Sequence, residues 1–338
     1  MNKNGQVQKT IATLEQDDPN REHWWAHTGG GAGNFGVVTR YWFRSPGVDN
    51  KDSSHLLPRA PELVEMAEID WAWNDINEES FVQLVDNFCN WSKQNAAYGI
   101  PANSLFATLH LWNKATGKIQ LKAVLIDQQQ AGEVLANLLK ALNTSLNIPY
   151  HLERKKMSWL AFALRPFPDI FSDIKESFKL KDAFLVEPFT TKQLRVIYQH
   201  LTSNSDVPGG FLGLATYGGK VNTVASNATA SFQRNAIVTT ACVSGWINAE
   251  EELKYLEWVR NCYKDIFCET GGVPIHNEQL AGCIIAHPDN DLIDAQLNTS
   301  GVPWHELYYR DNYPRLQKVK AIWDPLNVFQ HSLSVKAS

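Results

Sequence analysis

Behind Asn77, apolar residues recur at helical spacing at Phe81, Leu84, Val85, Phe88 and Trp91, which predicts an amphipathic helix over residues 77–93 capped by Asn77. Two β-rich runs follow, 105–112 and 119–126, separated by a turn over 113–117. A second helix is predicted from Asp127, with Gln130 completing a capping box and Val134, Leu135, Leu138 and Leu142 on its apolar face. The same kinds of element recur downstream. Residues 190–201 read as a helix and 211–217 and 237–246 as strands, and Asn248 with Glu251 caps a helix bearing Leu253, Leu256, Val259 and Tyr263. Strand pairs flanked by helices predict an α+β fold with one large antiparallel sheet and its helices on one face. The last helix is expected to start at Asn312, carry Pro314 in its first turn, run through Leu316, Val319 and Lys320, and stop at Asp324-Pro325. Near the start, residues 5–13 and 36–43 read as strands, and the Pro-, Gly- and Asp-rich stretch 45–61 reads as a connector between domains.

Between those two strands lies a glycine run, with Gly29, Gly30, Gly31, Gly33 and Gly36 spelling a formal GxGxxG. In a nucleotide-binding βαβ unit the third glycine opens a helix whose N-terminus receives the pyrophosphate. Here the next residues, GVVTRYWF, are β-branched and aromatic, so the fingerprint is a false one. Glycine is retained where the chain turns with positive φ or lies against a ligand. A tight structural turn and a ligand-facing loop are both consistent with the run.

The chain has 338 residues, 44% of them hydrophobic and 20% charged, which places it among soluble globular proteins. A net charge of −5 lacks the basic footprint of nucleic-acid binding. No apolar run approaches the roughly 20 residues needed to span a bilayer, and the first ten residues have no apolar core of a signal peptide. The five cysteines, Cys89, Cys242, Cys262, Cys268 and Cys283, are odd in number and lack CxxC spacing. That argues against a zinc site or a disulfide framework, and for free thiols in a reducing cytoplasm. The Asn-x-Ser/Thr sequons at Asn90, Asn143, Asn227 and Asn298 are then chance occurrences.

Two stretches, WWAHTGGGAGNFGVVTRYWFRSP and YYRDNYPRLQKVKAIWDPLNVFQHSLSV, resemble the paired signatures of the berberine-bridge-enzyme-like FAD-linked oxidases. KLKDAFLVEPFTTKQLRVIYQHL, ATYGGKVN and GCIIAHPDNDL resemble the microbial branch that oxidises sugars and glycosylated natural products, in the same order. The resemblance implies a second part of an FAD-binding domain over 1–45, a substrate-binding sheet domain over 46–304 and a C-terminal strap over 305–338. It implies that Gly31, Gly33, Asn34, Phe35, Gly36, Val37 and Val38 approach FAD with backbone donors, phosphates being met by a nest of N–H groups rather than a helix. Ala32 departs from the family's glycine and requires negative φ. Family members also carry an N-terminal half whose Arg-x-Gly-Gly-His-like segment and later Cys attach the flavin. Neither segment occurs in this sequence, and His27 and the cysteines do not match those positions. The expectation is therefore the C-terminal part of an oxidase, its N-terminal FAD-binding half coming from a partner chain or an upstream reading frame.

The resemblance also implies the site residues. Tyr217 lies in the Thr216-Tyr217-Gly218-Gly219 motif, as a tyrosine beside the flavin or as a half-buried packing residue. A Tyr-x-Asn-Tyr-Pro-Asp motif reads Ile284-Ile285-Ala286-His287-Pro288-Asp289 here. His287 is then either a base with a more suitable pKa than a phenol, or the mark of a decayed site. Tyr309, Asn312 and Tyr313 match the strap's contact with the flavin ring, with Asn312 alternatively a plain helix cap. Arg315 and Lys320 are expected to be solvated and Trp323 to be packing; no metal is expected. Two functions stay open. One is an FAD-dependent oxidase of a hydroxyl on a sugar or glycosylated small molecule, with hydride passing to flavin N5 and oxygen reoxidising it. The other is a non-catalytic binding module unable to hold FAD alone.

Overall fold

The computed structural model describes residues 3–45, 47–48, 53–126, 130–165, 177–203 and 206–338. Seven strands form one antiparallel sheet: β1 (Leu63–Ala72), β2 (Leu105–Trp112), β3 (Lys118–Leu125), β4 (His151–Ser158), β5 (Ser177–Leu185), β6 (Phe211–Thr216) and β7 (Val238–Trp246). Their order is β4-β1-β3-β2-β6-β7-β5. The helices are α1 (Arg21–His27), α2 (Glu78–Gln94), α3 (Ala131–Leu142), α4 (Trp159–Ala163), α5 (Thr191–Thr202), α6 (Glu252–Ile266), α7 (Trp304–Tyr309) and α8 (Tyr313–Trp323).

Strand residues alternate between the two faces of a sheet, so the registers separate two surfaces. One row across the sheet, Ala183, Thr240, Leu214, Leu109, Leu121 and Ile69, is buried. It lies in the same core as Phe81, Leu84, Val85 and Phe88 of α2 and Leu135 and Leu138 of α3. The neighbouring row on the opposite face reads Asp182, Ala241, Gly213, His110, Gln120, Asp70 and His151. It is polar and small where the other is leucine-rich, and this open face matters below.

The expected local signals hold in part. Asn77 Oδ1 accepts from Ser80 N at 2.9 Å and Ser80 Oγ accepts from Asn77 N at 3.0 Å, a reciprocal cap. Asn113 Oδ1 closes the β2–β3 turn, and Gly117 takes φ +83° to complete it. The expected start at Asp127 lies outside the described residues; the helix is described from Ala131. Asn248 and Glu251 do not cap the following helix: a 3-10 turn intervenes, and Asn248 Nδ2 reaches only the Glu251 side chain at 3.4 Å.

Residues 5–13 and 36–43 are not strands. A strand needs a neighbouring strand to take up its N–H and C=O groups in a ladder, and neither segment joins one among the described residues; in 5–13 the Thr13 N–H and the Ile11 carbonyl go instead to the side chains of Asp18 and Asn20. Val37, Tyr41, Trp42 and Phe43 are instead 78%, 68%, 69% and 71% exposed. Strands β1, β4 and β5 were not anticipated. No described helix is long and apolar enough to cross a membrane, and all five cysteines are free.

The two ends of the chain meet through buried polar contacts. Lys320, expected to be solvated, is 0% exposed. Its ammonium donates to Asn34 O at 2.8 Å, to Asp324 Oδ2 at 2.6 Å and to Phe329 O. Asp324 also accepts from Val328 N and Phe329 N, each at 2.9 Å. Burial works against its charge, yet Lys320 and those two amides hold its carboxyl below the usual range. Nearby, Arg315 forks onto Glu22 at 2.6 and 2.5 Å and lies 4.0 Å over the Trp25 ring, while Trp323 stacks on His23. Removing one member of a buried ion pair leaves an uncompensated charge and costs about 3 to 5 kcal/mol. Lys320→Met is expected to lower the unfolding free energy by about that amount in urea titration; an unchanged midpoint would refute the role given to this ammonium.

Candidate active site

The glycine run follows α1 directly. Gly29, Gly31 and Gly33 take φ of +101°, +82° and +69°, whereas Ala32 is not among the positive-φ residues, as its side chain requires. From Gly31 to Val38, no backbone N–H donates to an acceptor among the described residues. Ala32, Gly33, Val37 and Val38 are exposed and a Cβ on Gly36 would meet nothing, so the donors on either side of the buried pair Asn34 and Phe35 are open to an outside acceptor. An anionic cofactor such as FAD fits them in chemistry.

The side chains of Asn34 and Phe35 are used inside the protein. Asn34 is buried, donates to Gly30 O at 3.0 Å and accepts from Val335 N at 2.8 Å. Phe35 is buried edge-on against His27. Val37 and Val38 are exposed. The strap residues are likewise engaged. Tyr309 is fully buried and donates its hydroxyl to Gly30 O at 3.0 Å; Tyr313 accepts from Lys336 N at 3.3 Å and stacks on His305. Asn312 stands at the N-cap position of α8 but its side chain makes no capping bond. Its amide donates to Ser226 O at 2.8 Å and to Thr229 O and Ala230 O, because it is buried against the 226–230 loop.

The loop bearing His287 touches the glycine run. A Cβ on Gly31 would lie 2.9 Å from Ile285 Cγ1 and 3.1 Å from Tyr309 Oη, so only glycine allows this approach. One residue before Ile285, Ile284 N donates to Asp182 Oδ1 at 2.8 Å. His287 Nδ1 lies 2.8 Å from the other oxygen of the same carboxylate. Asp182 is buried on the open face of β5, while the His287 side chain is 46% exposed. Its hydrogen bond to Asp182 raises the His287 pKa above 6.5 against the opposing effect of burial. Burial raises Asp182 in turn. With Nδ1–H held by the carboxylate, Nε2 is the ring atom left to exchange a proton.

Tyr217 continues the alternation of β6, its N–H donating to Ile237 O at 2.9 Å. Its ring meets Phe184 edge-on at 5.3 Å, two positions along β5 from Asp182. Phe184, Tyr217 and Ile284 share a small apolar cluster, which places Tyr217 on the same face as Asp182 and His287. Burial raises its hydroxyl pKa, with Arg234 opposing, so it is neutral near pH 7.

Sequence reading did not single out Asp182, Ile285 or the polar row beyond. Gln120 Nε2 donates to Asp70 Oδ1 at 2.8 Å, and the neighbouring His110 packs against the contacting pair Trp112 and Phe211. Burial brings His110 down to about 4, so it is neutral at physiological pH. A lone aspartate in a strand carries no local signal. The period-two pattern of KLKDAFL does, since it sets Asp182 on the face opposite Lys179 and Lys181.

A family profile described as berberine and berberine like matches residues 285–336. The chain is 42% identical over 333 residues to the aclacinomycin-N/aclacinomycin-A oxidase of Streptomyces galilaeus, covering 98% of this chain and 61% of that protein. It thus spans about three fifths of that curated relative's length. Among solved structures it superposes on aclacinomycin oxidoreductase with a TM-score of 0.95 at 41% identity, covering 100% of this chain and 68% of the other. A glycopeptide hexose oxidase complexed with teicoplanin gives a TM-score of 0.93 at 38% identity over 99% of this chain and 67% of the other. With the glycine run, the strap and the sheet all inside these alignments, the chain belongs to the berberine-bridge-enzyme-like FAD-linked oxidases.

Proposed function

We propose that this chain forms the substrate-binding part and one side of the flavin site of an FAD-dependent oxidoreductase acting on a hydroxyl of a sugar or glycosylated small molecule. The observation that carries the reading is the convergence at Ile285: the open amides of the glycine run abut the loop whose His287 is held by Asp182. Bound FAD would supply the hydride acceptor and its reoxidation by oxygen. The amides from Gly31 to Val38 would receive its anionic part, and the open face of the sheet would receive the substrate.

Asp182 orients the imidazole and stabilises its protonated form, so that Nε2 of His287 takes the hydroxyl proton as the C–H bond is broken. Tyr217, neutral and on the same face, hydrogen-bonds the same oxygen. The substrate class draws support from the relatives, one named for aclacinomycin and one for a hexose on a glycopeptide. The polar row of Asp70, Gln120 and His110 suits hydroxyl-rich ligands. The exposed Val37, Val38, Tyr41, Trp42 and Phe43 suit contact with an N-terminal FAD-binding half, from a partner chain or an upstream reading frame, and the free cysteines suit a reducing cytoplasm.

A second reading, a binding module without catalysis, draws on the buried and internally bonded side chains of Tyr309, Asn312 and Tyr313. Protein purified from its native host separates the two. Visible flavin absorbance supports the first reading; colourless protein that takes up no added FAD sinks it.

With flavin bound, His287→Ala is expected to slow flavin reduction by about 100-fold or more, the usual worth of a positioned base; an unchanged rate would remove His287 from the chemistry. The base must be unprotonated, so activity should fall as pH drops through a pKa above 6.5. Asp182→Asn should move that acid limb down, along with the imidazole titration seen by NMR. A limb that stays in place would show that Asp182 does not set it.

A further inference from the structure

We infer that Lys181 and Asp289 are positioning residues for His287, forming a buried clamp that reaches it around the β5 edge of the sheet. The inference rests on the reading of His287 as the proton acceptor. Strand β5 is the terminal strand, and its side chains alternate: Asp182 points to the open face, and Lys179 and Lys181 to the helix face.

The segment 279–291 wraps over that edge. Val186 N donates to Gln279 O at 2.7 Å, Ala281 N to Phe184 O at 3.0 Å and Phe184 N to Gly282 O at 2.9 Å, so the segment runs along β5. Ile284 and His287 then meet Asp182 on one face, with His287 N closing a turn onto Ile284 O at 3.0 Å. Two residues later the chain has crossed to the other face. Asp289 there accepts from Lys179 at 2.6 Å and from Lys181 at 2.5 Å. Asp291 is forked by Arg260 of α6 at 3.0 and 2.8 Å and also meets both lysines.

Only Pro288 separates His287 from Asp289, and its ring fixes φ near −65°. The position of Asp289 is therefore passed to the imidazole with little slack. Lys181, Asp289 and Asp291 are 4%, 5% and 6% exposed. Apolar packing of equal volume often serves stability as well as a buried ion pair or better, so the part we assign to these charges is the selection of one geometry. Here two ammonium groups define the single place for Asp289, and its N–H is fixed on Tyr308 Oη at 3.0 Å. His287 itself is faced by Asp182 of β5, with Tyr217 on the same face, while the charged and titratable groups about Asp182, Asp289 and Asp291 are Lys179 and Lys181 behind the strand, Arg260 and Tyr263 of α6, Tyr308 of α7 and Cys283.

The test is the NMR titration of the His287 imidazole in the purified full chain, in wild type, Lys181→Met and Arg260→Gln. Each variant removes a cation. If the cluster acted only through its charge, or only on stability, the His287 pKa in the folded protein would rise or stay. Loss of positioning loosens the Asp182 contact, so the expected result is a downward shift toward 6.5 in both variants, larger for Lys181→Met. A folded Lys181→Met protein with unchanged or raised titration overturns the inference. If that variant does not fold, Arg260→Gln, altered where the cluster opens to solvent, decides on the same criterion. Because the titration needs no flavin, it is independent of whether the oxidase reading stands.

Discussion

A single buried ammonium sets the frame on which the remaining geometry depends. Lys320 has three acceptors, on Asn34, Asp324 and Phe329, and no solvent. A charge in that position is tolerable only while all three stay in place, so the glycine run and the strap are fixed by the same group. The Tyr309 hydroxyl on Gly30 and the Asn34 carboxamide on Val335 add neutral bonds to that junction. Segments some three hundred residues apart in sequence thereby become one rigid surface.

That surface brings the site together. Once the run is held at Asn34, Gly31 lies against Ile285, and Ile285 belongs to the loop that Asp182 holds on the edge strand. The antiparallel topology supplies the rest. Because β5 ends the sheet, a loop can wrap it and contact both faces, while β6 and β7 beside it bring Tyr217 to the same open face. The leucine-rich face packs under the helices and leaves the polar face free, so the division of labour follows from strand alternation.

Elements with strong local signals were legible in sequence. Helix α2 has an apolar stripe and a side-chain cap, and β2 and β3 are joined by a turn whose Asn113 and Gly117 each have a defined job. Tyr217 and His287 were singled out by resemblance alone; the structure brings them to one face, and the roles given to them are those of the proposal. The charged strand β4, HLERKKMS, was not legible, because an edge strand gains its identity from its neighbour β1 and not from apolar alternation. Residues 36–43 show the converse: strand-like composition with no partner among the described residues. Lys320 looked like any solvated helix lysine, since nothing local reports that Asn34 will be its acceptor. Asp182 was hidden for the same reason, its role being made by a loop a hundred residues away.

In the proposed site the open amides of the glycine run face the flavin beside the His287 loop. Amide hydrogen exchange of the full chain, with and without FAD, tests it directly. Slowed exchange from Gly31 to Val38 and over 284–287 is expected when FAD is present. Flavin binding that leaves those amides unprotected, or protects a different surface, would contradict it.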